Sequence, residues 1–368
     1  MVGAVPIGVL TYLLLAGSAS DGVFQPAADM GFARYASTAA VLSSGTVALY
    51  GPSYDGDEYN PADGTWTETA LIPAPRFNAR LFGLSSGDAL LIGGDTTDAR
   101  TVRYTPATRS WTWGPSLTAA RRFEQAAQLD DGRILVAGGY GPNGSPTTSA
   151  EIYDPTTGTF APAGSMPRPR AGGVAELLLD GRVLVAGGVD ASGNGDPCAL
   201  LYTPSSGTFS SGPCFAAATH GRAFPASARL LDGRVFVSGG QTYYQGSTRL
   251  APDADVYDPH TNRWTQRTAS TRFEHTLTVL TDGRVLVVGG VGDWNQPLAQ
   301  TEVFDPVLDA VRLGPSLTVA RYGHTATALP GNRLLVAGGR VSASQWTATS
   351  EIYTGDAVMT DGFEQGER

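Results

Sequence analysis

The sequence of 368 residues contains no lysine, so all 25 of its basic side chains are arginines. The absence of lysine excludes the phosphate-binding lysine of P-loop sites, Schiff-base chemistry and a lysine general base. With 34 acidic side chains the net charge is −9. Sequence-independent nucleic-acid binding requires a basic surface, which an acidic protein does not offer. We therefore expect neither a P-loop enzyme nor a nucleic-acid-binding protein.

Hydrophobic runs long enough to cross a membrane are also missing. Residues 5–15 are apolar but too few to span a bilayer comfortably. The small residues 16–20 that follow are typical of a signal-peptide cleavage site. We predict a signal peptide over residues 1–20 and an exported protein with no membrane span in its mature chain. The segment before Pro6 lacks the usual positive charge, so a buried strand is the alternative interpretation.

What the sequence does contain is an internal repeat. Short apolar runs end in paired glycines six times, at intervals of 45 to 52 residues. An arginine stands 17 residues before each pair, and Arg34 stands 17 before Gly51 in a degenerate seventh copy. Self-similarity at this period indicates a repeat architecture. The pairs are Gly93-Gly94, Gly138-Gly139, Gly187-Gly188, Gly239-Gly240, Gly289-Gly290 and Gly338-Gly339.

The local signals within each copy favour β-strands. Asp-Gly dipeptides such as Asp131-Gly132 separate short apolar runs and are typical of tight hairpin turns. A tyrosine followed seven residues later by a bulky residue, as in Tyr59 and Trp66, marks a second hairpin. Four short strands per copy with no helical periodicity predict an all-β, seven-bladed β-propeller with four antiparallel strands per blade.

These repeats resemble the kelch motif over nearly all of the chain. The paired glycines, the spaced Tyr and Trp and the arginine that opens the first strand are that family's marks. Residues 282–290 resemble bacterial kelch proteins and the propeller of galactose-oxidase-like enzymes. We place the kelch-type propeller at residues 21–356 and a short C-terminal tail at residues 357–368. The resemblance implies a fold and leaves the function open, because one fold hosts many activities.

A strand from the N-terminus is expected to close the ring. The last copy lacks its outermost strand, because Thr360 stands where the bulky partner of Tyr353 would be. Residues 22–24 match residues 158–160, which belong to an outermost strand. We predict that residues 22–31 form the outermost strand of the last blade, which removes a free sheet edge.

The only two cysteines, Cys198 and Cys214, lie symmetrically about a predicted hairpin turn. They should face each other across paired strands, so we predict a disulfide, which export would make chemically reasonable. Two unpaired buried thiols are the alternative. We expect no metal site and no cofactor, because no Cys-x-x-Cys or histidine cluster accompanies them.

The repeat arginines should ring the mouth of the central channel, because each opens an innermost strand. An anion site on the axis is the functional interpretation. We favour a structural one, in which acidic residues two before the repeat Tyr or Phe form salt bridges from blade to blade. The arginines are Arg34, Arg76, Arg121, Arg170, Arg222, Arg272 and Arg321, and the acidic residues are Asp57, Glu151, Asp255, Glu302 and Glu351.

Two of the four histidines lie near the predicted axis. His275 and His324 occupy the third position after the repeat arginine in neighbouring copies. Such a pair suits a metal or acid–base chemistry. We favour a structural role in packing between blades.

The loops between second and third strands should emerge on the same face as the arginines. Exposed aromatic residues around such a rim suit sugar stacking or a protein hot spot. The alternative is that each aromatic caps its own blade. These candidate binding residues are Tyr140, Tyr243, Tyr244, Trp294 and Trp346.

No nucleophile–base pair or complete metal-ligand set is recognisable, so we assign no catalytic residue. We expect a monomeric, exported binding scaffold whose loop face takes a glycan or a protein. The alternative is a sugar-active enzyme, either a copper-dependent oxidase like galactose oxidase or a sialic-acid mutarotase, as the resemblance implies. Binding is favoured because the copies differ in their loops rather than near the predicted axis.

Overall fold

The computed structural model describes residues 22–52, 54–216, 221–244 and 247–355. Within these residues, seven four-stranded antiparallel sheets form the blades of a propeller. The innermost strands of adjacent blades contact one another around a central axis. The predicted all-β, seven-bladed propeller is therefore confirmed.

The first strand, β1 (Val23–Pro26), belongs to the last blade, and the others follow in chain order from the axis outward. Blade 1 contains β2 (Thr38–Val41), β3 (Val47–Tyr50), β4 (Gly56–Asn60) and β5 (Thr65–Glu68). Blade 2 contains β6 (Arg80–Gly83), β7 (Ala89–Ile92), β8 (Arg100–Thr105) and β9 (Ser110–Ser116). Blade 3 contains β10 (Gln125–Gln128), β11 (Ile134–Ala137), β12 (Ser149–Asp154) and β13 (Thr159–Ser165).

The remaining blades repeat this order, and blade 5 carries an extra hairpin in its loop. Blade 4 contains β14 (Ala171–Leu177), β15 (Val183–Val189), β16 (Cys198–Thr203) and β17 (Thr208–Cys214). Blade 5 contains β18 (Ala226–Arg229), β19 (Val235–Ser238), the hairpin β20 (Gln241–Tyr244) and β21 (Ser247–Leu250), then β22 (Asp253–Asp258) and β23 (Arg263–Thr268). Blade 6 contains β24 (Thr276–Val279), β25 (Val285–Val288), β26 (Thr301–Asp305) and β27 (Ala310–Leu313). Blade 7 contains β28 (Thr325–Leu329), β29 (Arg333–Ala337) and β30 (Ser350–Thr354).

The second strand of each blade supplies most of the core. The side chains of β3 and β11, for example, are at most 1% exposed. Such strands are buried on both faces because a neighbouring blade packs against each side of the sheet. This explains why they read as continuous apolar runs rather than as alternating ones.

The repeated Tyr and Trp spacing corresponds to cross-strand pairs on the outer hairpin. Tyr59 of β4 lies opposite Trp66 of β5 in register, with 4.9 Å between the ring centroids. Tyr257 and Trp264 form the same pair in blade 5. Facing aromatic side chains stabilise paired strands, so this column of the repeat is a packing device.

The N-terminal strand closes the ring, as predicted. β1 pairs antiparallel with β30, with Phe24 opposite Tyr353 and 5.3 Å between their rings. The predicted span of residues 22–31 is too long at its C-terminal end, because the strand ends at Pro26. Beyond it the chain turns inward and buries Met30, which is 4% exposed, between blades 7 and 1.

The cysteines form the predicted disulfide. Cys198 and Cys214 are register partners on β16 and β17 and are bonded to each other.

No helix among the described residues is long and apolar enough to traverse a bilayer. The predicted signal peptide at residues 1–20 and the C-terminal tail at residues 357–368 lie outside the described part of the chain.

Candidate functional site

The seven repeat arginines are at most 3% exposed, so they do not line the channel mouth as expected. Each side chain turns back over the end of its own blade. The Arg321 guanidinium donates through Nη1 to the carbonyl oxygens of Gly338 at 2.8 Å and Thr349 at 2.9 Å. These carbonyls end the second strand and precede the third, so the arginine joins two strands of one sheet.

The predicted carboxylate partners are correct, but the expected blade-to-blade geometry is wrong. Arg121 pairs with Glu151 at 2.6 Å, and Arg321 pairs with Glu351 at 2.9 Å, both within one blade. The arginine precedes the first strand, and the carboxylate lies on the third strand of the same sheet at the same end of the blade. The two groups of one blade are therefore close enough to pair directly. In blade 4, where the carboxylate column has no acid, the loop residue Asp196 pairs with Arg170 at 2.8 Å.

Blades are joined by backbone hydrogen bonds at the paired glycines. The Gly139 N–H donates to the Arg170 carbonyl of the next blade at 2.9 Å. Gly138 has a φ of +64°, and a Cβ there would collide with the same carbonyl oxygen. Glycine is therefore required because the neighbouring backbone approaches too closely for a side chain.

The residue two positions after each repeat arginine lies at the central axis, and the sequence repeat did not predict this. All seven residues have a φ between +50° and +67°, which is rare for residues other than glycine. Several are joined across blades, as where the Gly323 N–H donates to the Glu274 carbonyl at 2.9 Å. The column comprises Ala36, Asn78, Phe123, Gly172, Phe224, Glu274 and Gly323.

This axial column differs in chemistry from blade to blade. The expectation that asymmetry is confined to the loops is therefore wrong. The available signal was a repeated arginine followed two positions later by residues of five different types, including two glycines and one asparagine, which tolerate a positive φ. Strained backbone of this kind clusters at ligand-binding sites.

The axial residues line a central cavity of about 370 Å³. Its wall from blades 3 to 5 is apolar and includes Phe123 and Phe224, whose ring centroids lie 5.1 Å apart. A Cβ on Gly172 would collide with the Phe224 ring. The wall from blades 6, 7 and 1 is polar and includes Glu274, Thr325 and hydroxyls of blade 1. The channel therefore presents one apolar and one polar side to an entering ligand.

His275 and His324 contribute to the polar wall and are 7% and 5% exposed. Nε2 of His275 hydrogen-bonds to Ser238 Oγ at 2.9 Å, and Nε2 of His324 to Thr276 Oγ1 at 3.1 Å. In both cases the partner belongs to the preceding blade. Burial and the nearby Arg321 lower the pKa of His324 to about 3. Burial, with the charge of Arg272, holds the pKa of His275 well below its ordinary value.

Glu124 occupies the histidine position in blade 3 and is 1% exposed. Its carboxylate lies against Gly93 of blade 2, and neither oxygen has a hydrogen-bond partner among the described residues. Burial raises the pKa of Glu124 to about 7, although the charges of Arg80 and Arg121 oppose that shift. The seam between blades 2 and 3 therefore holds a carboxyl group that titrates near neutral pH.

An aromatic and cationic cluster lies on the loop face beside the cavity. The Tyr35 and Trp346 rings lie 5.4 Å apart, and the Arg340 guanidinium lies 3.9 Å from the Tyr35 ring centroid. Tyr35 also lines the cavity, and Trp346 is 42% exposed. We call Tyr35, Arg340 and Trp346 the rim cluster. It joins an exposed aromatic ring of the loop face to the channel.

The kelch motif matches residues 121–167, which run from the repeat arginine of blade 3 to the end of its outermost strand. This protein is a seven-bladed β-propeller that carries a kelch motif, and we call it the kelch propeller. The chain matches no curated protein sequence.

Two solved structures share the fold of this kelch propeller. A fungal alcohol oxidase of the AA5 family, in complex with copper, is 17% identical, with a TM-score of 0.73 over 91% of this chain and 77% of its own. A protein named YjhT is 14% identical, with a TM-score of 0.63 over 78% of this chain and 99% of its own. Identities this low show a common fold alone.

The described residues of the kelch propeller do not fit a copper centre. They contain no group of three or more His, Cys, Asp or Glu side chains placed to hold a metal ion. The two cysteines are bonded to each other, and Nε2 of each channel histidine is engaged by a hydroxyl. We derive no metal chemistry from this site.

The predicted loop aromatics of the kelch propeller do not form one surface. Trp346 belongs to the rim cluster, whereas Trp294 is 91% exposed and contacts no other ring among the described residues. Tyr140 is half-buried, 6.1 Å from the Phe123 ring. The side chains of Tyr243 and Tyr244 lie outside the described part of the structure. Tyr35 and Arg340 were missed because the expectation for the loop face rested on the aromatic residues of the loops alone.

Stability of the kelch propeller should depend on pH through these buried seam groups. Folded His324 binds its proton more weakly than an unfolded histidine, so stability is lost as the pH falls below 6.5. Glu124 acts in the opposite direction. Its folded pKa of about 7 lies above the ordinary 4.5, so stability is lost as the pH rises from 4.5 to about 7.

Glu124→Gln should therefore stabilise the kelch propeller above pH 7 and leave its stability nearly unchanged at pH 4. The expected gain at pH 8 is up to about 3 kcal/mol, because each unit of pKa shift corresponds to about 1.4 kcal/mol. Urea unfolding at the two pH values measures it, with Glu68→Gln on an exposed strand as the control. An equal change at both pH values would contradict the assignment to Glu124.

Proposed function

We propose that this kelch propeller is a binding protein for carbohydrate and that the ligand sits at the channel mouth against the rim cluster. The observation that carries the proposal is the exposed Trp346 ring beside a cavity of about 370 Å³. Sugars bind proteins by laying their C–H faces on aromatic rings while polar groups fix their orientation.

The cavity supports the proposal because it offers both kinds of contact. The polar wall supplies hydroxyl and carboxyl groups, including Thr325, Thr327 and Glu274. The Phe123 and Phe224 rings face the same cavity from the opposite side. A pyranose ring has matching apolar faces and a polar edge. A protein ligand, the other expected partner class, would use the outer loops around Trp294 rather than the channel.

We further propose that the protein is exported. The Cys198–Cys214 disulfide supports this, since disulfides persist in oxidising compartments and are rare in the cytosol.

The rim cluster is tested by two tryptophan variants. Trp346→Ala should weaken binding of the best ligand on a glycan array by about tenfold or more, the range of a stacking hot spot. Trp294→Ala is the matched control, because it removes an equally large exposed ring that lies outside the cluster. Affinities for the selected glycan are measured by titration calorimetry, with melting curves to show that both variants fold.

Two results would overturn the proposal. One is the absence of any bound glycan at millimolar concentration. The other is loss of glycan binding on Trp294→Ala but not on Trp346→Ala, which would move the sugar site from the channel mouth to the outer loops.

A further inference from the structure

We propose that the carbohydrate bound at the rim cluster is an acidic sugar of the uronic acid class and that Arg340 binds its carboxylate. This inference rests on the carbohydrate-binding function proposed above and names its substrate class. It follows from the position of Arg340, from the absence of an ion-pair partner for it among the described residues, and from the fact that no other blade has an arginine directly after its paired glycines.

The backbone holds Arg340 and Trp346 opposite each other. Arg340 exchanges backbone hydrogen bonds with Tyr322, which follows the repeat arginine of blade 7, at 2.8 and 3.1 Å. It also forms a backbone bridge with Trp346, and the Val341 N–H donates to the Gln345 carbonyl to close the loop between them. The two side chains are therefore fixed at the base of a short loop anchored to an innermost segment.

The Arg340 guanidinium has little polar contact within the protein. Nη1 donates to the Ala343 carbonyl at 3.3 Å, and buried Nε has no hydrogen-bond partner among the described residues. None of the described carboxylates forms an ion pair with it. Its neighbours are the Tyr35 ring at 3.9 Å and the Trp346 ring at 6.0 Å. Aromatic contacts of this kind hold a guanidinium in place and leave its donors available.

The repeat provides an internal comparison that separates ligand binding from folding. The loops of blades 3, 4 and 6 form the same backbone bridge as the loop of blade 7. Their bridging pairs are Tyr140 with Pro146, Val189 with Gly195, and Val291 with Pro297. Because these bridges form with neither an arginine nor a tryptophan at the paired positions, the Arg340–Trp346 pair is not needed to build the loop.

The charges around the mouth accommodate an anion. Arg122 on blade 3 is exposed beside the Phe123 ring, and Arg80 lines the cavity below it. The opposing charge is that of the Glu274 carboxyl. Burial raises the pKa of Glu274 above its ordinary value, although the nearby charge of Arg340 opposes that shift.

Two further carboxylates, those of Glu176 and Glu124, are not among the residues that line the cavity. Glu176 accepts a hydrogen bond from Ser227 at 2.6 Å, and Glu124 is buried in the seam between blades 2 and 3. A ligand carboxylate can therefore pair with Arg340 without displacing a protein carboxylate. An arginine–carboxylate pair is among the strongest hydrogen-bonded contacts available to a sugar.

Titration calorimetry with matched probes tests the inference. The acidic probes are trisaccharides of galacturonic, glucuronic and mannuronic acid, and the neutral probes are trisaccharides of the corresponding hexoses. We expect at least one acidic probe to bind about tenfold more tightly than its neutral counterpart, the range of a charge-assisted hydrogen bond. The difference should shrink at high salt.

Arg340→Gln should weaken binding of the acidic probe by about tenfold more than binding of its neutral counterpart, so that the preference for the acidic probe is lost. Arg333→Gln, which alters an arginine at the opposite end of blade 7, is the control and should bind like the wild type. Melting curves confirm folding of both variants.

Each outcome bears on a different claim. Equal binding of acidic and neutral probes overturns the acidic-sugar assignment and leaves carbohydrate binding standing. Preferential binding of an acidic probe that Arg340→Gln does not change overturns the role of Arg340. No binding of any probe, together with an empty glycan array, overturns the proposed function and this inference together.

Discussion

Removing the closing strand should cost this propeller more stability than any other local change. A chain that begins at residue 27 lacks β1 and should melt at least about 10 °C below one that begins at residue 22, given losses above 5 kcal/mol and roughly 2 °C per kcal/mol. The loss combines the β1–β30 hydrogen bonds with the burial of Phe24, which is 4% exposed. It also leaves β30 as an unpaired sheet edge.

Point variants on the same strand separate burial from backbone pairing. Phe24 packs between blades 6 and 7 against Tyr353 and Leu334, so Phe24→Ala should cost about 3–5 kcal/mol, as for other buried phenylalanines. Val23 is 49% exposed on the opposite face of β1, and Val23→Ala should change stability by less than about 0.5 kcal/mol. Thermal and urea unfolding measure both. Equal effects of the two variants would mean that β1 does not close the ring by packing.

The second large effect is expected at the buried Arg321–Glu351 pair. Arg321→Met leaves Glu351, which is 1% exposed, without its cation. Breaking one side of a buried ion pair costs about 3–5 kcal/mol because the remaining charge stays desolvated. The same substitution also removes the guanidinium bonds to the Gly338 and Thr349 carbonyls, so we expect the upper end of that range.

A double-mutant cycle isolates this interaction. Arg321→Met combined with Glu351→Gln should recover part of the loss, because the second change removes the unpaired charge. Recovery should be partial, since the Glu351 carboxylate also accepts hydrogen bonds from the backbone of Thr318 and Val319. The control is Arg133→Met at the exposed Arg133–Asp131 pair, where less than about 1 kcal/mol is expected. Additive single effects would show that the buried pair is not coupled.

The repeat itself was predictable because each column reports one local requirement. The paired glycines reflect the close approach of the next blade's backbone, as at Gly138. The spaced Tyr and Trp are direct register partners, and the same regularity located Cys198 opposite Cys214. Phe24 could be assigned to the last blade because it restored a missing member of the repeat.

The direction of the arginine side chains was not predictable from spacing. An arginine before the first strand can pair with a carboxylate of its own blade or of a neighbour, and both choices fit the same sequence interval. Burial decides between them, because a guanidinium over its own sheet also satisfies two carbonyl groups, as Arg321 does. The residues on the axis were missed for a related reason. They share a left-handed backbone conformation but no residue type, so the repeat shows no column at this position.

The sequence by itself determined the seven-bladed propeller, the disulfide and the closing strand, because regular spacing in a repeat prescribes strand order and register. Only the tertiary structure brings together the residues of the proposed ligand site. Tyr35 begins blade 1, while Arg340 and Trp346 lie in the last blade, and these residues meet only because the ring closes. A contact between the two ends of a circular fold depends on the sum of all its blades, and no local interval of the sequence records it.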